Sequence, residues 1–472
     1  EDRTYYYEVV PSNFLERTLY MEADRMTGLL EAMTQEKLNN QRDVVKNERR
    51  ERVDNVPYGS SFETIGEIMY PKGHPYNWSV IGSMADLSAA SLDDVKSFFR
   101  TYYVPNNAVL VLAGDFDEKQ TKAWIEKYFG SIAKGAEISR PNLAMPKLSG
   151  EIRKTIEEPV PLPRLYMIWH TTPAYAPDEA AIDMLSSILS TGRGSRLQSN
   201  MVYGKELVQN IFTSNATREI GGQFQVTATA KPGKTLEEIE KEINAQIEQI
   251  KKEPPTAEEM ARALNIREAN AIFGMQTVLG KGSQLSSYAG YLGKPDYFQA
   301  NIDRYRKVTP ADVQRVANQY LNGNRLVISY VPGKAAPKSN ADTDKPTSTE
   351  SKKKDTALIA KQDAALPKAG PDPKFALPSI EKTKLSNGLN VWLVKQNELP
   401  IVSMNMVINA GGMLESAEKS GVALMTAGML NQGTKIRSAL DIANQMQSIG
   451  SFVSAGAGWD SSTISMQTLT KN

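Results

Sequence analysis

Ser91-Leu92-Asp93-Asp94-Val95 opens a helical pattern that runs to Tyr102-Tyr103, turns at Pro105-Asn106-Asn107 and continues as Ala108-Val109-Leu110-Val111-Leu112. Thr309-Pro310-Ala311-Asp312-Val313 opens a second such stretch, which runs to Tyr320-Leu321, turns at Asn322-Gly323-Asn324 and continues as Arg325-Leu326-Val327-Ile328. In both, a hydroxyl residue stands three positions before an aspartate, the signature of a capped helix start. A turn and a strand rich in β-branched residues follow, so each stretch predicts helix, turn, strand. Asp94 maps onto Asp312, an offset of 218 residues.

A longer and weaker repeat sets Asp2-Arg3-Thr4-Tyr5-Tyr6-Tyr7-Glu8-Val9-Val10 against the alternating segment that begins at Asp460, an offset of 458. That is about twice the shorter offset, and the two levels together predict paired halves, each of two similar domains. The expected fold class is α+β, with repeated domains of antiparallel sheet packed with helices. The expected divisions are a first domain over 1–145, a second over 146–333, a linker over 334–376 and the start of a third domain over 377–472. The linker is rich in Pro, Lys, Ser, Thr, Asp and Ala and contains Lys352-Lys353-Lys354. Such a composition buries too little apolar surface to offset its ordering entropy. Beyond it, Asn387-Gly388 between strand-like runs predicts a hairpin with a type I′ turn, and Ile401 to Ile408 predicts a further strand.

Composition removes several functions. The 472 residues carry 55 Lys and Arg against 54 Asp and Glu, a net charge of +1 that leaves no broad electrostatic footprint for nucleic acid. No run reaches the ~18 apolar residues of a membrane span. Cysteine is absent, which excludes disulfides, thiolate metal sites and cysteine nucleophiles. The same absence fits an oxidising compartment, and a periplasmic or envelope location is the expectation. With only His74 and His170 in the chain, no three-histidine metal site and no pair of histidines within one helix turn can be formed from it.

The segment from Thr34 to Asn55 contains Gln41-Arg42-Asp43-Val44-Val45-Lys46-Asn47-Glu48 and reads as one helix capped by Thr34. At ~100° per residue, Leu38, Gln41, Val44, Val45, Glu48 and Arg52 share one arc, which is the expected buried face. Asn40, Asp43, Lys46 and Arg50 form the expected solvent face. Glu48 therefore points with the apolar residues, where an uncompensated carboxylate costs several kcal/mol. Two readings stand open: an ion pair with Arg52 one turn on, or a metal ligand whose partners lie on another helix.

Here the sequence resembles the pitrilysin/insulinase family of zinc metallopeptidases, the inverted zincins, which carry H-x-x-E-H on one helix and a third ligand, a glutamate, on a later one. Gln41 to Glu48 matches the later helix, so the resemblance implies that Glu48 is the third zinc ligand. Gln41 stands where many relatives have a glutamate. Pro71-Lys72-Gly73-His74-Pro75-Tyr76, Tyr103-Val104-Pro105-Asn106-Asn107 and the glycine-rich Leu189 to Leu197 continue the likeness in order. His74 then reads as a loop residue and His170 as structural. In the third region, Gly421-Val422-Ala423 aligns with the approach to H-x-x-E-H, yet Leu424-Met425-Thr426-Ala427-Gly428 keeps none of the catalytic positions. The 458-residue offset places the first-half motif before residue 1. The resemblance thus implies a clamshell zinc endopeptidase acting on peptides or unfolded segments, whose histidines and general base lie upstream of Glu1. A partner subunit or second copy is compatible with it. The chain as given is expected to show neither tight zinc binding nor peptidase activity. The alternative is a non-catalytic relative serving as scaffold or partner subunit.

Overall fold

A computed structural model describes residues 2–140, 143–334 and 366–472. Most of the expected linker, 334–376, lies outside them. The protein is α+β, and the chain forms two compact units. The first comprises Glu1–Ala144, Val278–Pro295 and Ala335–Leu377, and the second comprises Met145–Thr277, Asp296–Lys334 and Pro378–Asn472.

The first unit is built of helices: α1 (Leu15–Ala32), α2 (Gln35–Arg49), α3 (Ser61–Met69), α4 (Met84–Ala89), α5 (Leu92–Tyr102) and α6 (Glu118–Phe129), with a later helix, Val278–Leu292. α1 packs on α6, Tyr20 meeting Tyr128 edge-on at 5.7 Å while Glu16 accepts from Lys127 and Tyr128. The sequence places the helix starts well. Thr34 accepts from Lys37 N at the start of α2, and Ser91 and Asp94 form a reciprocal capping box at α5.

Two expected strands of this unit are not paired. Residues 108–112 and 2–10 form no strand, and among the described residues the first unit holds no β-ladder. Strand propensity is chiefly a fit to neighbouring strands, and a lone extended segment leaves its backbone groups to water. Val109 and Leu110 are accordingly about half exposed. Side chains make the contact instead, the Tyr6 and Tyr103 hydroxyls lying 2.7 Å apart.

The second unit centres on a five-stranded sheet of β1 (Ile152–Glu158), β2 (Arg164–Thr171), β3 (Val208–Thr217), β4 (Gly222–Ala230) and β5 (Leu326–Pro332), in the order β1-β5-β2-β4-β3. Only β1 and β5 run parallel. Leu165, Met167 and Trp169 of β2 point to one face of the sheet and join its buried core. There they meet Ile182 and Leu185 of α7 (Glu179–Ser190), Ile239 and Ile243 of α8 (Leu236–Lys252), and Val313 and Val316 of a helix over Pro310–Tyr320. Trp169 satisfies its indole N–H on Asn322 O at 2.8 Å, as a buried tryptophan requires.

α9 (Ala257–Gly274) follows α8, and then comes α10, the Val278–Leu292 helix of the first unit. α11 is Phe298–Arg306, and α12 is the Pro310–Tyr320 helix, opened by the Thr309–Asp312 capping box. Both expected helix starts, at Ser91 and Thr309, carry a capping box, and among the described residues only the second stretch leads into a paired strand, β5.

Residues 378–472 supply a two-stranded ladder, β6 (Ile380–Lys384) with β7 (Asn390–Val394), and a three-stranded sheet of order β8-β10-β9: β8 (Ile401–Ile408), β9 (Val453–Ala457) and β10 (Ser462–Leu469). The hairpin forms at Asn387-Gly388, but its turn is not type I′. Only Gly388 has a positive φ, +90°, while Gly388 N donates to Leu385 O and Leu385 N to Leu389 O. That is a type I turn closed by a left-handed glycine, stabilised by Leu389 N donating to the Asn387 side chain. α13 (Val422–Met429) and α14 (Ala439–Ser448) complete the segment, and α14 lies against α9. Gly192, at φ +80°, makes room for it, since a Cβ there would run into the side chain of Gln447 on α14.

Candidate metal-ligand helix

α2 runs from Gln35 to Arg49 and continues through a π-helical turn, Arg50–Asp54, in which Asn55 N reaches back to Arg50 O at 2.9 Å. Glu48 lies near the end of the regular helix. Its carboxylate is 38% exposed and accepts from Arg52 Nη1 at 2.6 Å, so the structure realises the ion-pair reading of that side chain. Arg52 is 74% exposed, and a pair this open contributes only a few tenths of a kcal/mol.

The expected buried face of α2 is not the buried one. Gln41 and Val44 are exposed, and Leu38, Val45 and Glu48 are half-buried. Burial falls on Lys46 and Arg49, with Arg42 half-buried beside them, a stripe at i, i+4 and i+7. Arg42 donates to Leu87 O at 2.8 Å and to Ala90 O at 2.7 Å, satisfying carbonyls at the end of α4. Arg49 grips both oxygens of Glu63 on α3, at 2.5 and 2.8 Å, and also donates to Gly82 O at 2.7 Å. The hydrogen bonds that Arg49 donates to Glu63, ahead of the opposing effect of burial, hold its guanidinium above its usual pKa. α2 is therefore held at Arg42 and Arg49 by hydrogen-bonded guanidiniums, while Leu38 and Val45 are only half-buried. The sequence signal was the 42/46/49 spacing, which an apolar-face reading assigns to solvent.

Both histidines take structural places. His74 is buried in the loop after α3, stacked on Tyr70 at 4.8 Å, with Nδ1 accepting from Tyr76 N at 3.1 Å. His170 lies on β2. Among the described residues no three His, Cys, Asp or Glu side chains stand close enough to hold one metal ion. Glu48 is a fitting zinc donor by type and exposure, and by itself it is too few.

The chain is similar to known proteins over about two thirds of its length. The family model described as the Peptidase M16 inactive domain matches residues 89–267. The zinc protease PqqE of Helicobacter pylori is 29% identical over 339 residues, which cover 70% of this chain and 74% of that protein. The crystal structure of a protease from Helicobacter pylori superposes with a TM-score of 0.62 at 26% identity, covering 68% of this chain and 77% of that one. These matches make the chain similar to the pitrilysin/insulinase (M16) proteases.

A second solved structure speaks to length. The periplasmic protease PqqL from Escherichia coli covers 97% of this chain at a TM-score of 0.52, while the chain covers 53% of it; at 15% identity that likeness is one of fold. The inactive-domain match begins beyond α2, so the helix that carries Glu48 lies outside it.

Proposed function

We propose that the protein is a zinc-dependent endopeptidase that hydrolyses peptides or unfolded segments with metal-activated water. Glu48 carries the reading: it sits in the Gln41–Glu48 pattern of the family's third-ligand helix, on a face of α2 that the described residues leave accessible. The relatives named zinc proteases support it. Zinc held there would polarise a peptide carbonyl and activate water near neutral pH. Glu48 supplies one carboxylate oxygen donor, and Arg52 is its solvent-side partner when no metal claims it. On this reading the two histidines and the general base are supplied from outside these 472 residues, and peptide substrates reach the protein in the periplasm or envelope.

The test uses the full-length protein. It is expected to bind one zinc and to cleave an internally quenched peptide in a chelator-sensitive way, with Glu48→Gln weakening zinc by at least about tenfold. Unchanged stoichiometry and affinity in Glu48→Gln would sink the ligand assignment.

The match to a domain described as inactive favours a second reading, a non-catalytic scaffold or partner subunit. A full-length protein that binds no zinc yet forms a stable complex with a second chain would select it.

A further inference from the structure

The polar seating of α2 has a consequence for Glu48. Around the helix axis, at ~100° per residue, Arg42, Lys46 and Arg49 fall within about 60° of one another, and Glu48 lies about 120° from their centre. Arg42 fixes that stripe to the end of α4 and Arg49 fixes it to α3, two anchors separated by two turns of helix. Apolar packing tolerates rotation of a helix by small rotamer changes. A planar guanidinium bound at both nitrogens to one carboxylate does not, because both bonds lengthen or bend at once. A rotation of α2 by about 20° would carry a carboxylate ~6 Å from the axis through about 2 Å. Metal ligands are confined to within ~0.2 Å of their ideal distances.

We infer that Arg49, through its two-pronged contact with Glu63 and its bond to Gly82 O, is a positioning residue that sets the direction of the Glu48 carboxylate by fixing the rotation of α2. Arg49 touches neither metal nor substrate, and Glu63 acts only through it. This rests on the reading of Glu48 as a zinc ligand. The regular hydrogen bonding of α2 ends at Arg49, where the π-helical turn begins. The anchor therefore holds the last place from which rotation of the Glu48 turn can be controlled.

The experiment measures zinc affinity of the full-length protein by chelator competition, alongside the urea midpoint of the metal-free form. Arg49→Met and Glu63→Gln are each expected to weaken zinc about tenfold, with Arg49→Lys intermediate because it keeps the charge and loses the fork. The exchanged pair Arg49→Glu with Glu63→Arg is expected to recover part of the loss, which a general loss of stability would not do. Arg49→Lys and Glu63→Gln keep the test open should Arg49→Met fail to fold. Wild-type zinc affinity in these variants, with Glu48→Gln impaired, would overturn the positioning role and leave the ligand standing. Wild-type affinity in Glu48→Gln would overturn both.

Discussion

Glu22 on α1 shares its surroundings with Glu8 of the segment 2–10, and Arg25 bridges the two, 2.9 Å from Glu22 and 3.6 Å from Glu8. Arg25 also lies over the Tyr6 ring at 4.8 Å, and Tyr6 in turn meets Tyr103. Burial, then the hydrogen bond and repulsion from Glu8, raise the Glu22 carboxyl from 4.5 to about 7, against the pull of Arg25. A carboxyl raised in the folded state binds its proton more tightly there than in the unfolded chain, so stability falls as pH rises from about 4.5 to 7. Glu22→Gln removes that penalty. Its urea midpoint should exceed the wild type at pH 8 and match it near pH 4. An equal shift at both pH values would show that the side chain acts through packing and not through its charge.

Helix starts were legible because a capping box is a local device, complete within four residues. Ser91 with Asp94, and Thr309 with Asp312, each satisfy the amides that the first turn would leave unpaired. Thr309→Ala should therefore cost about 1 kcal/mol, within the 0.5–2 range for lost caps. The cost should appear in thermal denaturation of the second unit, because α12 buries Val313, Val316 and Ala317 in its core. A change below about 0.3 kcal/mol would mean that tertiary packing alone fixes the start of α12. Strands were less legible, since Val109-Leu110-Val111 has the composition of β5 but no paired neighbour among the described residues. The face of α2 was misread for a third reason. Hydrophobic periodicity assumes that burial is apolar, whereas Arg42 and Arg49 are held on carbonyls and a carboxylate. The ion pair of Glu48 with Arg52 was legible from one-turn spacing. What seats the helix became visible only when α3 and α4 were in place.

Across the molecule, the two capped helix starts were legible in the sequence, but not how residues 378–472 join the second unit. Their contacts with α9 are scattered along the chain: Asn265 Nδ2 donates to Ser448 O at 2.6 Å, and Glu268 accepts from Lys471 at 2.5 Å and from Arg306 at 2.6 Å. No local pattern ties residue 268 to residue 471. Glu268 is almost wholly buried, which alone would raise its pKa, yet the Arg306 and Lys471 hydrogen bonds hold it below the usual carboxylate range. A carboxylate depressed in the folded state contributes stability that is present above about 4.5 and lost as pH falls through its folded pKa. Glu268→Gln keeps the shape and removes the charge, leaving Arg306 and Lys471, each about half exposed, to turn to water. The expected loss at pH 7 is about 1–3 kcal/mol in urea denaturation, shrinking toward zero as the wild-type carboxylate protonates. Lys471→Met should cost less, since Arg306 remains on Glu268. If the deficit of Glu268→Gln stayed constant from pH 7 to pH 3, its charge would not be what ties α9 to the end of the chain.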